Sequence, residues 1–311
     1  MSELSAFIFP GQGSQHAGML SEIADTTGII QDTFAEASSV LGYDLWALTQ
    51  EESAERLNQT EYTQPALLTA SVALWRLWQQ QGGQVPDFLA GHSLGEYSAL
   101  VAAESIEFKD AVKLVAARGR FMQEAVPVGV GAMAALLGLD DEKAVEVCQV
   151  AAKKGGVVEA ANFNSVGQVV IAGEAAAVDQ AIELAKEAGA RKAMKLAMSV
   201  PSHCSLMKSA AEKLALELKN IEIKTPKIPV IHNVDVASYT DAEQIRDALV
   251  RQLYNPVRWV ETVKELEKNQ VTRCFECGPG KVLAGLGKRI AKQVQCSPLS
   301  GAEGIAAAMC S

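Results

Sequence analysis

Residues 88–95 read FLAGHSLG, an apolar run that leads directly into the pattern Gly91-His92-Ser93-Leu94-Gly95. A G-x-S-x-G pattern between a strand and an amphipathic helix is typical of a nucleophile elbow, a tight turn that exposes the serine hydroxyl at the helix N-terminus. Glycines flank the serine because the strand and the helix approach each other too closely for a Cβ. The segment therefore predicts a strand-turn-helix unit with Ser93 as the nucleophile.

Strands and helices alternate on both sides of this elbow. An apolar run at residues 5–9 predicts a first strand, and a helical pattern at 65–81 ends at a glycine pair. Towards the C-terminus the pattern predicts strands at 228–232 and 271–277, a helix at 242–253 and a final helix at 281–292. Alternation of this kind is typical of a parallel sheet covered by helices.

The middle of the chain has a different order of elements. It predicts the series β-α-β-β-α-β, with strands at 132–138, 157–162, 168–173 and 192–196 and helices at 141–153 and 175–188. This order is that of a ferredoxin-like unit. We therefore predict an α/β protein with a hydrolase-like parallel-sheet core, residues 1–127 and 199–311, and an inserted ferredoxin-like subdomain, residues 128–198. The cleft between the two bodies is the expected ligand site.

The composition narrows the class of protein. The 311 residues are 49% hydrophobic and carry a formal net charge of −9, which argues against bulk binding to nucleic acid or to an anionic membrane. No apolar run approaches the roughly 18 residues that span a bilayer. The first residues lack the basic and long apolar regions of a secretory signal, and the six cysteines are scattered along the chain. We expect a cytoplasmic protein that binds neither nucleic acid nor membrane.

One pair of cysteines, Cys274 and Cys277, has C-x-x-C spacing. Zinc and redox sites with this spacing need a second pair or a nearby histidine, and the chain offers neither. The surrounding segment is typical of a strand. We therefore interpret these cysteines as structural and expect no metal site.

A nucleophilic serine needs a base, and the chain has four histidines. His92 lies inside the elbow and is expected to point away from the face that presents Ser93. His203 follows the inserted subdomain on a loop and comes after the nucleophile in chain order, as the base does in hydrolase-like folds. His232 is its main rival, and a packed or helix-capping role for His203 fits the spacing equally well.

The loop after the first strand contains Gly11-Gln12-Gly13. It does not complete a dinucleotide-binding fingerprint, because the third glycine position holds His16. A glycine-rich loop can also aim a backbone amide at a reacting carbonyl. The amides of Gln12 and of Leu94, the residue after the nucleophile, are the candidate pair for an oxyanion hole.

Arg118 lies on the apolar stripe of a helical pattern, with Lys113, Arg120 and Glu124 on the opposite face. A guanidinium on a buried face must meet an anion, because an unpaired buried charge is costly. An internal salt bridge to a structural carboxylate is the ordinary interpretation. The functional alternative is a fork that binds a substrate carboxylate through two parallel hydrogen bonds.

Taken together, these motifs resemble those of the malonyl-CoA:acyl carrier protein transacylases of bacterial fatty-acid synthesis. The resemblance covers essentially the whole chain. The segments that carry it are 9–15 (FPGQGSQ), 63–66 (TQPA), 91–97 (GHSLGEY), 118–119 (RG), 162–165 (NFNS), 200–203 (VPSH), 252–257 (QLYNPV) and 278–280 (GPG). One departure is Cys277 before the last of these segments, where an aliphatic residue is expected.

The resemblance implies a role for each matching residue. Ser93 carries the acyl group, His203 is the general base in preference to His232, and Arg118 holds the malonyl carboxylate. It also implies that Cys204, beside His203, is a small neighbour and not a second nucleophile.

The resemblance further implies that the backbone amides of Gln12 and Leu94 form the oxyanion hole. The backbone carbonyl of Gln252 would orient the histidine in place of the usual carboxylate. The implied reaction is ping-pong transfer of a malonyl group from malonyl-CoA to the phosphopantetheine thiol of acyl carrier protein. It needs no metal, nucleotide or redox cofactor.

Three alternatives stay open from the sequence. A serine esterase or thioesterase would use the same elbow, and an acyltransferase of a polyketide-type pathway would accept other acyl groups. A module that only binds acyl carrier protein is the non-enzymatic alternative. An acidic partner could dock on exposed basic residues, which are equally compatible with a solvated surface: Lys281, Lys288, Lys292, Arg191 and Lys192. The oligomeric state is open, with a monomer as the working expectation.

Overall fold

The computed structural model describes residues 3–24, 28–51, 54–198 and 200–309. Within them the strands are β1 (Leu4–Phe9), β2 (Phe88–Gly91), β3 (Gly131–Leu137), β4 (Val158–Ser165), β5 (Gln168–Glu174), β6 (Lys192–Lys195), β7 (Val230–His232), β8 (Ala237–Ser238), β9 (Val271–Glu276) and β10 (Gln295–Pro298). They form two sheets, one of six strands and one of four.

The helices of the described residues are numbered in the same way. They are α1 (Ser21–Ala24), α2 (Ile29–Leu41), α3 (Leu45–Gln50), α4 (Thr60–Gln80), α5 (Gly95–Ala102), α6 (Phe108–Ala125), α7 (Asp141–Lys153), α8 (Ala175–Glu187), α9 (Lys208–Lys219), α10 (Ala242–Gln252), α11 (Trp259–Lys268), α12 (Val282–Ile290) and α13 (Ala302–Met309). No helix of the described residues is both long and apolar enough to cross a membrane.

The larger sheet has the order β10-β9-β1-β2-β7-β8, and all its pairings are parallel except that of β7 with β8. The central strand β1 is buried on both faces. Phe7 and Phe9 pack into one apolar cluster, whereas Ala6 and Ile8 pack into a second cluster on the opposite face. The register places Phe9 beside Gly91, so the C-terminal ends of β1 and β2 meet at one edge of the sheet.

The smaller sheet is antiparallel and has the order β4-β5-β3-β6. Helices α7 and α8 cover one face with small apolar side chains. The sheet joins the core where the amide of Phe163 donates to the carbonyl of Val257 and the amide of Val257 donates to the carbonyl of Ala161. The predicted fold class, a parallel-sheet α/β core with a ferredoxin-like β-α-β-β-α-β unit, is confirmed. The domain boundaries at residues 127–128 and 198–199 stay a prediction, and residue 199 lies outside the described residues.

Two helix predictions differ from the structure in their details: the start of one helix, and the end and place in the chain of the other. Helix α4 begins at Thr60, five residues before the predicted start at Pro65. Its first turn packs closely on α6, since a Cβ at Gly119 would lie 2.7 Å from the Thr60 carbonyl oxygen. Pro65 is tolerated inside the helix, where it removes a single backbone donor. Helix α12 ends at Ile290, and α13 follows it, so the segment at 281–292 is not the last helix.

Candidate active site

The elbow at residues 91–95 joins β2 to α5. Ser93 has a φ of +52°, a left-handed conformation that costs a residue with a side chain about 1–3 kcal/mol. A Cβ at Gly91 would lie 1.9 Å from the carbonyl carbon of Gly95, and a Cβ at Gly95 would lie 2.0 Å from the carbonyl oxygen of Phe9. The close strand-helix approach that the motif predicts is therefore present, and glycine is the residue that fits both positions.

The hydroxyl of Ser93 lies 2.7 Å from Nε2 of His203, across 110 residues of sequence. Nδ1 of His203 lies 2.8 Å from the backbone carbonyl oxygen of Gln252. A carbonyl oxygen only accepts hydrogen bonds, so Nδ1 carries the proton and Nε2 is free to accept the Ser93 proton. The structure thus brings together Ser93, His203 and the Gln252 carbonyl in the arrangement that the resemblance implies.

His203 is almost fully buried. Burial, followed by the positive charge of Arg118, lowers the pKa of His203 to about 3. The imidazole is therefore neutral at physiological pH and available as a proton acceptor.

The rival histidine, His232, lies elsewhere in the network. Its ring is fully buried, and Nδ1 lies 2.6 Å from Oε1 of Glu96. Its Nε2 has no hydrogen-bond partner among the described residues. His232 therefore packs behind the elbow, while His203 contacts the serine.

Arg118 lies on α6 and is 1% exposed. Nη1 donates to Oε1 of Gln64 at 2.8 Å, and Nη2 donates to Oε1 of Gln252 at 2.9 Å and to Oγ of Ser93 at 3.2 Å. Burial lowers the pKa of Arg118, and nearby Tyr97 and Glu96 partly oppose that effect. Within the described residues no carboxylate forms a salt bridge with Arg118, and its Nε has no partner. The ordinary expectation of an internal salt bridge was therefore wrong, and amide oxygens hold the cation beside the serine.

The two candidate oxyanion donors lie on the loop after β1 and at the start of α5. The amide of His92 donates to the carbonyl of Phe9, which fixes this loop against the elbow. Leu94 precedes the first residue of α5, so its amide belongs to the helix end that lacks intrahelical acceptors. Within the described residues neither the Gln12 amide nor the Leu94 amide forms a hydrogen bond. Both can therefore donate to a developing oxyanion.

A cavity of about 350 Å³ opens onto these groups. The core contributes eight of its lining residues: Gln12, Gly13, Gln15, Asn58, His92, Ser93, Ser202 and His203. The inserted unit contributes others, among them Met133, Asn162, Val170, Leu196 and Met198. Nε2 of His92 lies 2.8 Å from Oδ1 of Asn164, which also lines the cavity. His92 therefore lies on the face that presents Ser93, contrary to expectation.

The cysteines do not form a unit. Cys274 lies opposite Cys296 on the neighbouring strand, while the thiol of Cys277 lies 3.5 Å from the carbonyl of Ser71. In the part of the chain that the structure describes, no group of three or more metal-ligating side chains converges. Burial raises the pKa of Cys204 to about 12, so the thiol beside His203 is a poor nucleophile.

The chain matches known proteins along nearly its whole length. A family model described as an acyl transferase domain matches residues 6–298. The malonyl CoA-acyl carrier protein transacylase of Escherichia coli strain K12 is 59% identical over 304 residues, which cover 98% of each chain. This chain belongs to that transacylase family. The family predicted from the sequence motifs is confirmed.

Solved structures of transacylases agree with the fold. The malonyl CoA-acyl carrier protein transacylase of Coxiella burnetii superimposes with a TM-score of 0.97 at 53% identity, covering 99% of this chain and 98% of that one. A malonyl-transacylase solved in complex with a type II PKS acyl-carrier protein has a TM-score of 0.97 at 54% identity, covering 98% and 99% of the two chains.

Sequence reasoning missed several polar residues of the site in this transacylase family member. Glu96, Asn233 and Gln64 are all fully buried and hydrogen-bonded around the predicted residues. A signal was present for Glu96, which follows Ser93 by three residues on a helix whose other first-turn residues are apolar or small. Asn233 and Gln64 carry no charge, and their partners lie far away in sequence, so no local pattern indicates them.

The basic residues considered for docking are exposed. Lys281 directly precedes α12 and Lys288 lies within it, whereas Lys292 lies beyond its end at Ile290. The spacing had suggested that the three lysines share one helix face, but in the structure they do not. Their use as a docking surface, together with Arg191 and Lys192, stays a prediction.

Proposed function

We propose that this chain transfers the malonyl group of malonyl-CoA to the phosphopantetheine thiol of acyl carrier protein through a malonyl ester on Ser93. The observation that carries the proposal is the buried Arg118 guanidinium, which lies 3.2 Å from the Ser93 hydroxyl and has no carboxylate partner among the described residues. A cation in this position is suited to an acyl group that carries its own carboxylate. The names of the family members support the same substrates.

In the first half-reaction, Nε2 of His203 accepts the Ser93 proton as Oγ attacks the thioester carbonyl carbon. The amides of Gln12 and Leu94 stabilise the oxyanion, and loss of one such donor costs roughly 3–4 kcal/mol in comparable sites. The carbon–sulfur bond then breaks, and His203 returns the proton to the departing coenzyme A sulfur. The malonyl ester remains on Ser93.

In the second half-reaction, the thiol of the carrier's phosphopantetheine gives its proton to His203 and attacks the ester. The new carbon–sulfur bond forms as the bond to Ser93 Oγ breaks, and His203 reprotonates the serine. Every step is an acyl or proton transfer, so the proposed reaction requires no metal, nucleotide or redox cofactor.

Transfer is favoured over hydrolysis by the make-up of the site. A backbone carbonyl orients His203 in place of the carboxylate of an esterase triad, and Arg118 beside Ser93 is suited to an acyl group that carries its own carboxylate. The thiol acceptor, with a pKa of about 8.5, also gives up its proton far more readily than water, whose pKa is about 16.

The carrier protein could belong to fatty-acid or polyketide synthesis. We propose fatty-acid synthesis, which the sequence motifs favour, while a similar structure contains a type II PKS carrier. We also propose a cytoplasmic location, supported by the free and buried thiols of Cys148, Cys204, Cys274, Cys277 and Cys296.

The deciding experiment is intact-protein mass spectrometry after brief mixing with malonyl-CoA and then with phosphopantetheinylated acyl carrier protein. We expect a malonyl adduct that is absent in Ser93→Ala and passes to the carrier. Ser98→Ala is the matched control, because Ser98 is buried on α5 and its hydroxyl has no partner among the described residues. An adduct released only as free malonate would indicate a hydrolase, and a lack of any adduct on folded protein would refute serine catalysis.

A further inference from the structure

Glu96 is a buried carboxylate at the centre of the site that takes no part in the proposed reaction. It is fully buried on the first turn of α5. Oε1 accepts a hydrogen bond from Nδ1 of His232 at 2.6 Å, and Oε2 accepts from the amide of Asn233 and from Nε2 of Gln252, both at 2.9 Å. A buried carboxylate is tolerated only when it is hydrogen-bonded in this way. Two of its three donors contact catalytic groups in turn.

The first of these donors is Asn233, which holds the elbow. Its Oδ1 accepts from the amide of Ser93 at 2.7 Å, and its Nδ2 donates to the carbonyl of Gly91 at 2.6 Å. The Asn233 side chain therefore forms hydrogen bonds with Gly91 and with Ser93, the two residues between which the chain enters the turn. Ser93 adopts its left-handed conformation in this turn. Glu96 fixes the backbone of Asn233 at the point from which this side chain projects.

The second donor is Gln252, which connects the base and the guanidinium. Its side-chain Nε2 also donates to the carbonyl of Ser93 at 3.0 Å, and its Oε1 accepts from Nη2 of Arg118. Its backbone carbonyl accepts from His203. An amide can be placed in either of two orientations, and a carboxylate on one side admits only the orientation that points the NH₂ group towards it. Glu96 therefore orients the Gln252 amide so that its oxygen faces Arg118.

The same arrangement keeps the two buried charges apart. The Gln252 amide lies between the Glu96 carboxylate and the Arg118 guanidinium. The negative charge of Glu96 therefore stabilises the charged form of Arg118, although the two groups form no direct ion pair. A direct ion pair would occupy the donors that a substrate carboxylate needs. The bridged arrangement holds Arg118 beside Ser93 through the neutral oxygens of Gln64 and Gln252, without a carboxylate partner among the described residues.

We propose that Glu96 is a positioning residue that aligns Ser93 through Asn233, and His203 and Arg118 through Gln252, for acylation by malonyl-CoA. The proposal rests on the function proposed above. It assigns Glu96 no contact with substrate or with the reacting atoms.

The test compares Glu96→Ala and Glu96→Gln with the parent by the rate constant for acylation per folded molecule, measured by quenched-flow mass spectrometry. We expect Glu96→Ala to slow acylation by malonyl-CoA at least thirtyfold and acylation by acetyl-CoA less, since acetyl transfer does not use Arg118. Glu96→Gln should recover to within about tenfold of the parent. Its oxygen can accept from Asn233 and Gln252, and its NH₂ can donate to His232 once that ring moves its proton to the unpartnered Nε2.

Glu276→Ala is the matched control. Glu276 is also fully buried, and its Oε2 accepts from the amide of Ala284 at the start of α12. Among the described residues it forms no hydrogen bond with Ser93, His203, Arg118 or Gln252. We expect this variant to be less stable than the parent but to acylate at the parent rate when folded. A Glu96→Ala protein that acylates at the parent rate per folded molecule, with an unchanged ratio of malonyl to acetyl transfer, would overturn the proposal.

If Glu96→Ala does not fold, the same acylation assay is made with Asn233→Ala. Asn233 contacts the elbow and not Arg118, so its loss should slow malonyl and acetyl transfer by the same factor of at least ten. Parent-like rates for this variant would refute the alignment through Asn233. Failure of the proposed function would look different, because the parent protein itself would then form no malonyl adduct.

Discussion

His203 directs Nδ1 to the backbone carbonyl oxygen of Gln252 at 2.8 Å, so a neutral acceptor holds the base of this site. A carboxylate in that place would stabilise the protonated ring and raise the pKa of the histidine. Here burial and Arg118 lower that pKa to about 3. The base therefore stays unprotonated over a wide range of pH.

This arrangement leads to the first prediction, which concerns the pH dependence of acylation. We expect the rate constant for malonyl transfer to Ser93 to change less than threefold between pH 8 and pH 5. A histidine with the ordinary pKa of 6.5 would be about 3% neutral at pH 5 and would slow about thirtyfold. Single-turnover mass measurements at each pH provide the test, with circular dichroism as the control for folding. A decline with a midpoint near pH 6.5 would contradict the low pKa.

The second prediction concerns stability. The unfolded chain binds a proton on His203 below about pH 6.5, whereas the folded chain does so only near pH 3. Between these values the unfolded state binds more protons, so the free energy of unfolding falls as the pH falls, by at most about 1.4 kcal/mol per pH unit from this residue. Urea unfolding of the parent and of His203→Gln at pH 6.5, 5.5 and 4.5 should give a shallower pH slope for the variant. Equal slopes would mean that His203 protonates similarly in both states.

The third prediction concerns Arg118. Two charge-assisted hydrogen bonds to a carboxylate contribute about 3–4 kcal/mol. Arg118→Ala should therefore reduce kcat/KM for malonyl transfer by roughly a hundredfold to a thousandfold, with a much smaller effect on acetyl transfer. For malonyl transfer, kcat/KM of Arg118→Lys should lie between the values of the parent and of Arg118→Ala, because the lysine ammonium cannot form the planar fork. Equal losses on both acyl groups would exclude a carboxylate-binding role.

The sequence predicted those features whose signal is local. The elbow places Ser93 between two glycines within five residues, and the β-α-β-β-α-β order follows from apolar periodicity over residues 131–195. The helical stripe of α6 correctly indicated that Arg118 is buried. Helix α13 was missed because its sequence is largely alanine and glycine and buries only Ile305 and Ala308, which leaves no amphipathic pattern to detect.

The polar network could not be predicted, because its hydrogen bonds join distant segments. Asn233 meets Ser93 across 140 residues, and Gln252 meets Glu96 across 156. The same local sequence is compatible with a neutral amide side chain that faces solvent and with one that meets a buried partner. Only the assembled fold determines which of the two occurs. The same reason explains why the sequence left a structural carboxylate open as a partner of Arg118, whose acceptors are Gln64, Gln252 and Ser93.

The fourth prediction tests the geometry of the elbow. Gly95→Ala would place a Cβ 2.0 Å from the Phe9 carbonyl oxygen, which is backbone and cannot move aside easily. We expect a loss of about 3 kcal/mol or more in the free energy of unfolding, or no folded protein. Gly285→Ala is the control. Gly285 lies on α12 with nothing within 4 Å of an added Cβ, and the substitution should stabilise the protein by up to about 1 kcal/mol. Similar melting curves for both variants would show that the strand and helix are farther apart than described.

The fifth prediction is that Cys204 takes no part in malonyl transfer. Cys204 follows His203 directly, but it is fully buried and its thiol lies 3.1 Å from the Pro201 carbonyl oxygen. Burial raises the pKa of this thiol to about 12. A thiol in this state has almost no thiolate at neutral pH. Cys204→Ala should therefore retain the parent rate of malonyl transfer within about twofold, with a modest loss of stability from the small cavity. In the same assay Ser93→Cys should change the acylation rate, because there the substitution alters the attacking atom. A Cys204→Ala protein that folds normally but loses its adduct would place the acyl group on sulfur instead of on Ser93.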